Sequence, residues 1–241
     1  MNILAIGNSF SQDATTYLHR IARADGVDLK TTNLYIGGCS LERHFRNMLS
    51  GKASYELQSN GQPTGFYVSL DDALLNRQWD VITLQQASPV SPVADSYQPY
   101  ADALADHVRK YAPKTKLVVH QTWAYEQGSE RLAALSYADH KDMFADIEKA
   151  YALMARQIGA DGIIPCGKLF QDMLENGFEQ VHRDTFHARR GAGRYALGLL
   201  WYRVLTGNRV LENSFADFDE PVSEDEVRII KGLVEKVEPI L

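Results

Sequence analysis

The sequence predicts a three-layer α/β/α domain built around a mainly parallel sheet of five strands. Short apolar runs alternate with stretches of helical period from one end of the chain to the other, the pattern of repeated β-α-β units. Glycines and small polar residues follow directly on several of these runs, which marks strand ends turning into helices. The 241 residues, 45% hydrophobic and 23% charged, suffice to bury one substantial core, so residues 1–241 are expected to form one domain without disorder.

The first run, Ile3 to Ile6, ends in Gly7-Asn8-Ser9, where glycine tolerates unusual dihedrals and Asn or Ser caps a helix start. Leu18, Ile21 and Ala22 then lie at helical spacing, and residues 29–38 form a second strand closed by Gly37 and Gly38. Alternating residues on both sides of Asn60-Gly61 predict a small hairpin inserted at about 51–72, decorating the core. Val81 to Leu84 make a buried third strand that Pro89 ends. Tyr97, Tyr100, Leu104, Val108 and Tyr111 stripe the following helix, with Pro99 in its first turn. Residues 116–123 and 161–167 are the fourth and fifth strands, separated by a helix with Phe144, Ile147, Tyr151, Met154 and Ile158 on one face. Helices over 190–205 and 224–237 close the chain, the second opened by a Ser223/Glu226 capping box ahead of Val227, Ile230, Val234 and Val237.

A net charge of −6 with scattered Lys and Arg provides no basic patch, which argues against nucleic acid as a partner. Cys39 and Cys166 match neither metal nor redox spacing, although their pairing stays open. His120, His140 and His182 have no metal-ligand spacing, and no metal or other cofactor is expected. Arg189, Arg190 and Arg194 read as a solvated helix face. No apolar run approaches the roughly 18–20 residues of a membrane span, and the chain starts in strand material, so a cytoplasmic protein without membrane association is expected.

In parallel sheets ligands bind beyond the carboxyl ends of the strands. Those positions carry Asn8, Ser9 and Ser11; Gly37, Gly38 and Ser40; Gln85, Gln86 and Ser88; and Gln121, Trp123 and Tyr125. Asp184 and His187, three residues apart, precede the last two helices. A serine hydroxyl needs a base to take its proton, and a histidine base needs a carboxylate to fix its tautomer. Ser9, His187 and Asp184 can supply these roles, with the amides of Ser9 and Gly38 and a Gln85 or Gln86 side chain near the developing oxyanion. Taken alone, Ser9 reads better as a helix cap without chemistry, and Ser11 falls within the first helical turn. Trp123 and Tyr125 are candidates to line a sugar or acyl pocket.

These residues resemble a family. "GNSFS" is similar to the first block of the SGNH or GDSL hydrolases, "GGCS" to their second and "DTFH" to their last, in the same order across nearly the whole chain. The resemblance implies a flavodoxin-like sheet, Ser9 as nucleophile, His187 as general base and acid, Asp184 as the orienting carboxylate, and the Ser9 and Gly38 amides in the oxyanion hole. Two departures stand out: Asn8 replaces the Asp of the name motif, and Gln85-Gln86-Ala87-Ser88 replaces the third block, so the oxyanion-donating Asn is absent. Glutamine carries the same amide on a longer stem, which makes Gln86 the substitute, with Gln85 second to it. The resemblance further implies an ester hydrolase acting on a small acyl group, such as acetyl on a carbohydrate. The rival readings are a non-catalytic protein binding an anion at the Asn8–Ser11 turn and an acyltransferase using the same three residues.

Overall fold

The computed structural model describes residues 1–240. The strands are β1 (Asn2–Gly7), β2 (Lys30–Tyr35), β3 (Tyr55–Ser59), β4 (Gln62–Val68), β5 (Val81–Leu84), β6 (Lys116–Gln121) and β7 (Gly162–Pro165). The helices are α1 (Ser9–Thr15), α2 (Leu18–Ala24), α3 (Leu41–Ser50), α4 (Leu70–Leu75), α5 (Tyr100–Tyr111), α6 (Glu130–Ala134), α7 (His140–Gln157), α8 (Cys166–Glu175), α9 (Ala192–Thr206) and α10 (Glu224–Glu235).

The strands form one sheet in the order β4-β3-β2-β1-β5-β6-β7. β2, β1, β5, β6 and β7 run parallel, which is the five-stranded core expected from the apolar runs. The sheet nevertheless has seven strands. The hairpin around Asn60-Gly61 does not sit apart as decoration: β3 pairs antiparallel with β2 from Thr32↔Ser59 to Tyr35↔Glu56, and β4 pairs with β3. An unpaired β2 would expose a row of N–H and C=O groups, and the hairpin covers them.

Both faces of the parallel core are buried, which explains the continuous apolar runs, whereas β4 at the hairpin edge is largely exposed. Ile3 and Ala5 of β1 face a cluster that includes side chains of α1, α2, α8, α9 and α10, while Leu4 and Ile6 face a second one with α3, α4, α5 and α7. Cys39 and Cys166 are buried free thiols belonging to opposite clusters, so the sheet separates them. Burial raises the Cys39 thiol to about 12. Among the described residues, no helix is long and apolar enough to cross a membrane.

Two expectations about helices are corrected. Residues 88–90 and 94–96 form separate 3-10 turns, and α5 begins at Tyr100 with Pro99 at its N-cap instead of inside its first turn. The segment after β2 holds, besides the hairpin, two helices not expected from the sequence, α3 and α4, each capped by a serine hydroxyl, from Ser40 and Ser69.

Candidate active site

The site begins where β1 ends. A Cβ at Gly7 would lie 2.2 Å from Ser11 Oγ and 2.8 Å from Gln85 Oε1, so only glycine lets the chain leave the strand here. Asn8 caps α1, its Oδ1 accepting from Phe10 N at 2.9 Å, and Ser9 becomes the first helical residue. The Ser9 N–H therefore has no carbonyl one turn earlier in the helix to receive it. Ser11 is fully buried, its hydroxyl 2.7 Å from Asn33 Oδ1 and 2.9 Å from the Asn8 carbonyl, which removes it as a competing nucleophile.

Ser9 Oγ lies 2.9 Å from His187 Nε2, and His187 Nδ1 lies 2.8 Å from Asp184 Oδ2. The other Asp184 oxygen accepts from the His187 backbone N–H at 2.9 Å. A histidine donating from Nδ1 to a carboxylate presents Nε2 as an acceptor, the arrangement needed to take a serine proton. Burial acts to raise the Asp184 carboxyl, but hydrogen bonds from His187 and the nearby Arg183 charge outweigh it and leave its pKa below the ordinary value.

The loop carrying Asp184 and His187 is strained and tied down. Thr185, β-branched, sits at φ 72°, a conformation that such residues adopt only when their surroundings impose it. Its carbonyl accepts from Glu126 N at 2.8 Å, and the Phe186 carbonyl accepts from Trp123 Nε1 at 2.7 Å. Trp123 is thus a support for the loop and no wall of the cavity: it is fully buried and stacks on Phe10 with ring centroids 4.0 Å apart. The expectation that it lines a substrate pocket is corrected, because its ring fills the space beneath α1.

A second tether starts at Asp13, one turn after Ser9 and fully buried. Its carboxylate accepts from Arg183 Nη1 at 2.9 and 3.0 Å, from Arg194 Nε at 2.9 Å and from Ala188 N at 3.2 Å. Arg194, read from sequence as part of a solvated face, is mostly buried and also pairs with Asp219. One carboxylate on α1 thereby clamps the residues on both sides of the Asp184–His187 loop. Nothing in the local sequence marks Asp13 for this role, since its partner Arg183 is 170 residues away.

The glutamines do not face the cavity. Gln86 Oε1 accepts from Leu41 N at 3.0 Å and Ala87 N at 2.9 Å, and its Nε2 donates to Ser96 O and Oγ. Gln85 Nε2 donates to Asn8 Oδ1 at 2.7 Å, and its Oε1 accepts from His120 Nδ1 at 2.8 Å. Both amides are spent on holding strand ends together, so the assignment of Gln86, or of Gln85, to the oxyanion hole is corrected. Asn8 completes this lattice by donating from Nδ2 to the Cys39 carbonyl at 3.0 Å, linking the turn after β1 to the turn after β2. Gly38, next to Cys39, has φ 62°.

Ser9 and His187 open into a cavity of about 320 Å³ whose lining includes Gly38, Ser88, Tyr125, Arg131 and Phe186. Tyr125 is where the sequence suggested. Ser88 Oγ and Tyr125 OH are 3.0 Å apart. Burial raises the Tyr125 hydroxyl, while Ser88 and the Arg131 charge oppose the shift.

The family model described as a domain of unknown function, DUF4886, matches residues 2–234. The chain belongs to the DUF4886 family. A crystal structure of a DUF4886 protein from Bacteroides uniformis is 32% identical, superposes with a TM-score of 0.90, and covers 98% of this chain and 93% of its own. No curated protein matches the sequence. A protein from Slackia heliotrinireducens, provisionally assigned as an SGNH hydrolase, is 22% identical with a TM-score of 0.62, over 84% of this chain and 97% of its own. A variant of Axe2, an acetyl-xylooligosaccharide esterase from Geobacillus, is 12% identical with a TM-score of 0.52, over 89% of this chain and 94% of its own. The DUF4886 chain therefore has the SGNH/GDSL hydrolase fold.

Proposed function

We propose that the protein is a serine esterase that removes a small acyl group, such as acetyl, from a carbohydrate through an acyl-enzyme on Ser9. The observation that carries this reading is the unbroken relay from Ser9 Oγ through His187 to Asp184, opening into a cavity. Ser9 Oγ attacks the ester carbonyl as its proton passes to His187 Nε2, and the carbonyl π electrons move onto oxygen. Collapse of the tetrahedral adduct breaks the C–O bond, and the His187 proton leaves with the alcohol. Water then attacks the acyl-enzyme, giving its proton to His187; the acid departs and Ser9 is regenerated. Asp184 stays ionised throughout and stabilises the imidazolium.

The oxyanion is met by the Ser9 and Gly38 amides and by a hydroxyl from the Ser88–Tyr125 pair. Two hydroxyls in mutual contact hold two protons and use one between them. The other points to no protein acceptor among the described residues, and both side chains line the cavity. A donor fixed in advance at this position is worth about 2.7–4 kcal/mol to the transition state. The cavity volume suits a small acyl group beside a single sugar ring, and the acetyl-xylooligosaccharide esterase among the fold neighbours supports the same substrate class.

Hydrolysis of p-nitrophenyl acetate by the protein and by Ser9→Ala tests the reading. The variant is expected to lose at least about 10³-fold in kcat. Undiminished turnover in Ser9→Ala would remove this serine from the reaction.

A further inference from the structure

Arg131 is the one permanently charged side chain lining the cavity, in a chain whose net charge is −6. It rises from α6 and holds its guanidinium 4.0 Å from the centroid of the Phe186 ring. Phe186 in turn packs on the His187 imidazole, with ring centroids 3.8 Å apart. The cation is therefore stacked, through one aromatic ring, against the histidine of the relay. Among the described residues no carboxylate oxygen lies within 4.0 Å of it, and it donates no hydrogen bond. This differs from Arg183, Arg189 and Arg194 nearby, each of which has an acidic partner.

An arginine is always charged and presents its donors as a planar fork that matches a carboxylate, sulfate or phosphate. Contact with an aromatic face restrains the guanidinium through its π surface and leaves those N–H donors unused. Arg131 is an exposed residue that rests on the Phe186 ring, keeps its donors free of protein partners and lines the same cavity as the reacting serine. No acidic side chain lines the cavity to compete for it.

We propose that Arg131 is a specificity residue that binds an anionic group on the non-reacting part of the ester, making acidic esters the preferred substrates. The group is a carboxylate or another oxyanion, carried on the alcohol, as in an acylated acidic sugar, or on the acyl chain. This rests on the esterase reading of the same cavity and adds to it the charge of the substrate.

The test compares 4-acetoxybenzoate, whose carboxylate lies on the alcohol side, with its neutral methyl ester. p-Nitrophenyl hemisuccinate, charged on the acyl side, is compared with p-nitrophenyl butyrate. In the wild-type protein at least one anionic member is expected to be favoured. Its kcat/KM ratio over the neutral partner should fall about tenfold in Arg131→Gln, be partly kept in Arg131→Lys, and shrink with added salt. Which pair responds assigns the anion to the alcohol or to the acyl chain. Binding of 4-acetoxybenzoate, p-nitrophenyl hemisuccinate and their neutral partners to Ser9→Ala, by calorimetry, gives the same comparison without turnover. Ratios unchanged by Arg131→Gln in both kinetics and binding would overturn the role of Arg131. A wild-type protein that binds the anionic esters through Arg131 but turns none of these esters over would instead overturn the esterase reading.

Discussion

The two banks of the cleft are built from different physics. On one side the Asp184–His187 loop, strained at Thr185, is anchored by charge, through the buried Asp13 carboxylate with Arg183 and Arg194, in addition to its hydrogen bonds from Trp123 and Glu126 just after β6. On the other side Asn8, Gln85, Gln86 and His120 form a neutral lattice across strand ends that the sheet has already placed. A loop without its own scaffold needs strong, long-reaching contacts, whereas strand ends need only directional hydrogen bonds to fix their side chains. The contrast also shows that polar residues at strand ends are not all aimed at a ligand; here most of them hold the turns that carry the ligand-facing groups.

Breaking the ionic bank should have the largest effect. Asp13→Asn keeps the shape but removes the buried carboxylate shared by two mostly buried guanidinium groups, leaving them only the more exposed Asp184 and Asp219, which is expected to cost about 3–5 kcal/mol of stability. Chemical denaturation measures this, and turnover of p-nitrophenyl acetate, where the proposed activity holds, should fall with it because His187 loses its register with Ser9. A loss below 1 kcal/mol would show that the loop is held by other means.

Breaking the neutral bank should cost less and leave a different signature. Gln86→Ala strands the Leu41 and Ala87 N–H groups, an expected loss of about 2–3 kcal/mol measured by the same unfolding experiment. In the variant that remains folded, kcat should change little, whereas Tyr125→Phe should lower kcat with the melting temperature nearly kept. A Gln86 variant with full stability and a hundredfold lower kcat would return this residue to the oxyanion hole.

Acid separates the banks most finely. Burial depresses the His120 pKa to about 3, so between that value and the ordinary 6.5 the unfolded chain binds a proton that the folded chain does not. Stability therefore falls as pH drops below 6.5, by up to about 1.4 kcal/mol per unit from His120, and the buried His44 and His182 act in the same direction. Asp184 is depressed as a carboxylate, so its contribution is complete above the ordinary Asp pKa and is lost only as pH falls through its lower folded value. Denaturation midpoints measured from pH 7 to 4 should begin to decline near 6.5, and replacing His120 with Gln should flatten that decline.

The parallel core was legible because β1, β5 and β6 are buried on both faces and read as unbroken apolar runs, and α10 because its capping box is local. The joining of the hairpin to β2 was not, since antiparallel pairing at a sheet edge is chosen by whichever edge is free. Ser9, Asp184 and His187 were singled out from residue type, order and spacing, and the structure brings them together. Gln86 was misjudged because an amide serves whichever partners surround it, and Leu41 and Ser96 cannot be located from sequence. Asp13 escaped notice for a related reason: a helical aspartate looks like any surface acid until the arginines that bury it are found.

The most direct test of the central claim is intact-mass analysis after exposure to a fluorophosphonate, followed by peptide mapping. A single adduct on Ser9, absent in Ser9→Ala and strongly slowed in His187→Ala, is the predicted result. No adduct, or an adduct on another serine such as Ser88, would contradict it.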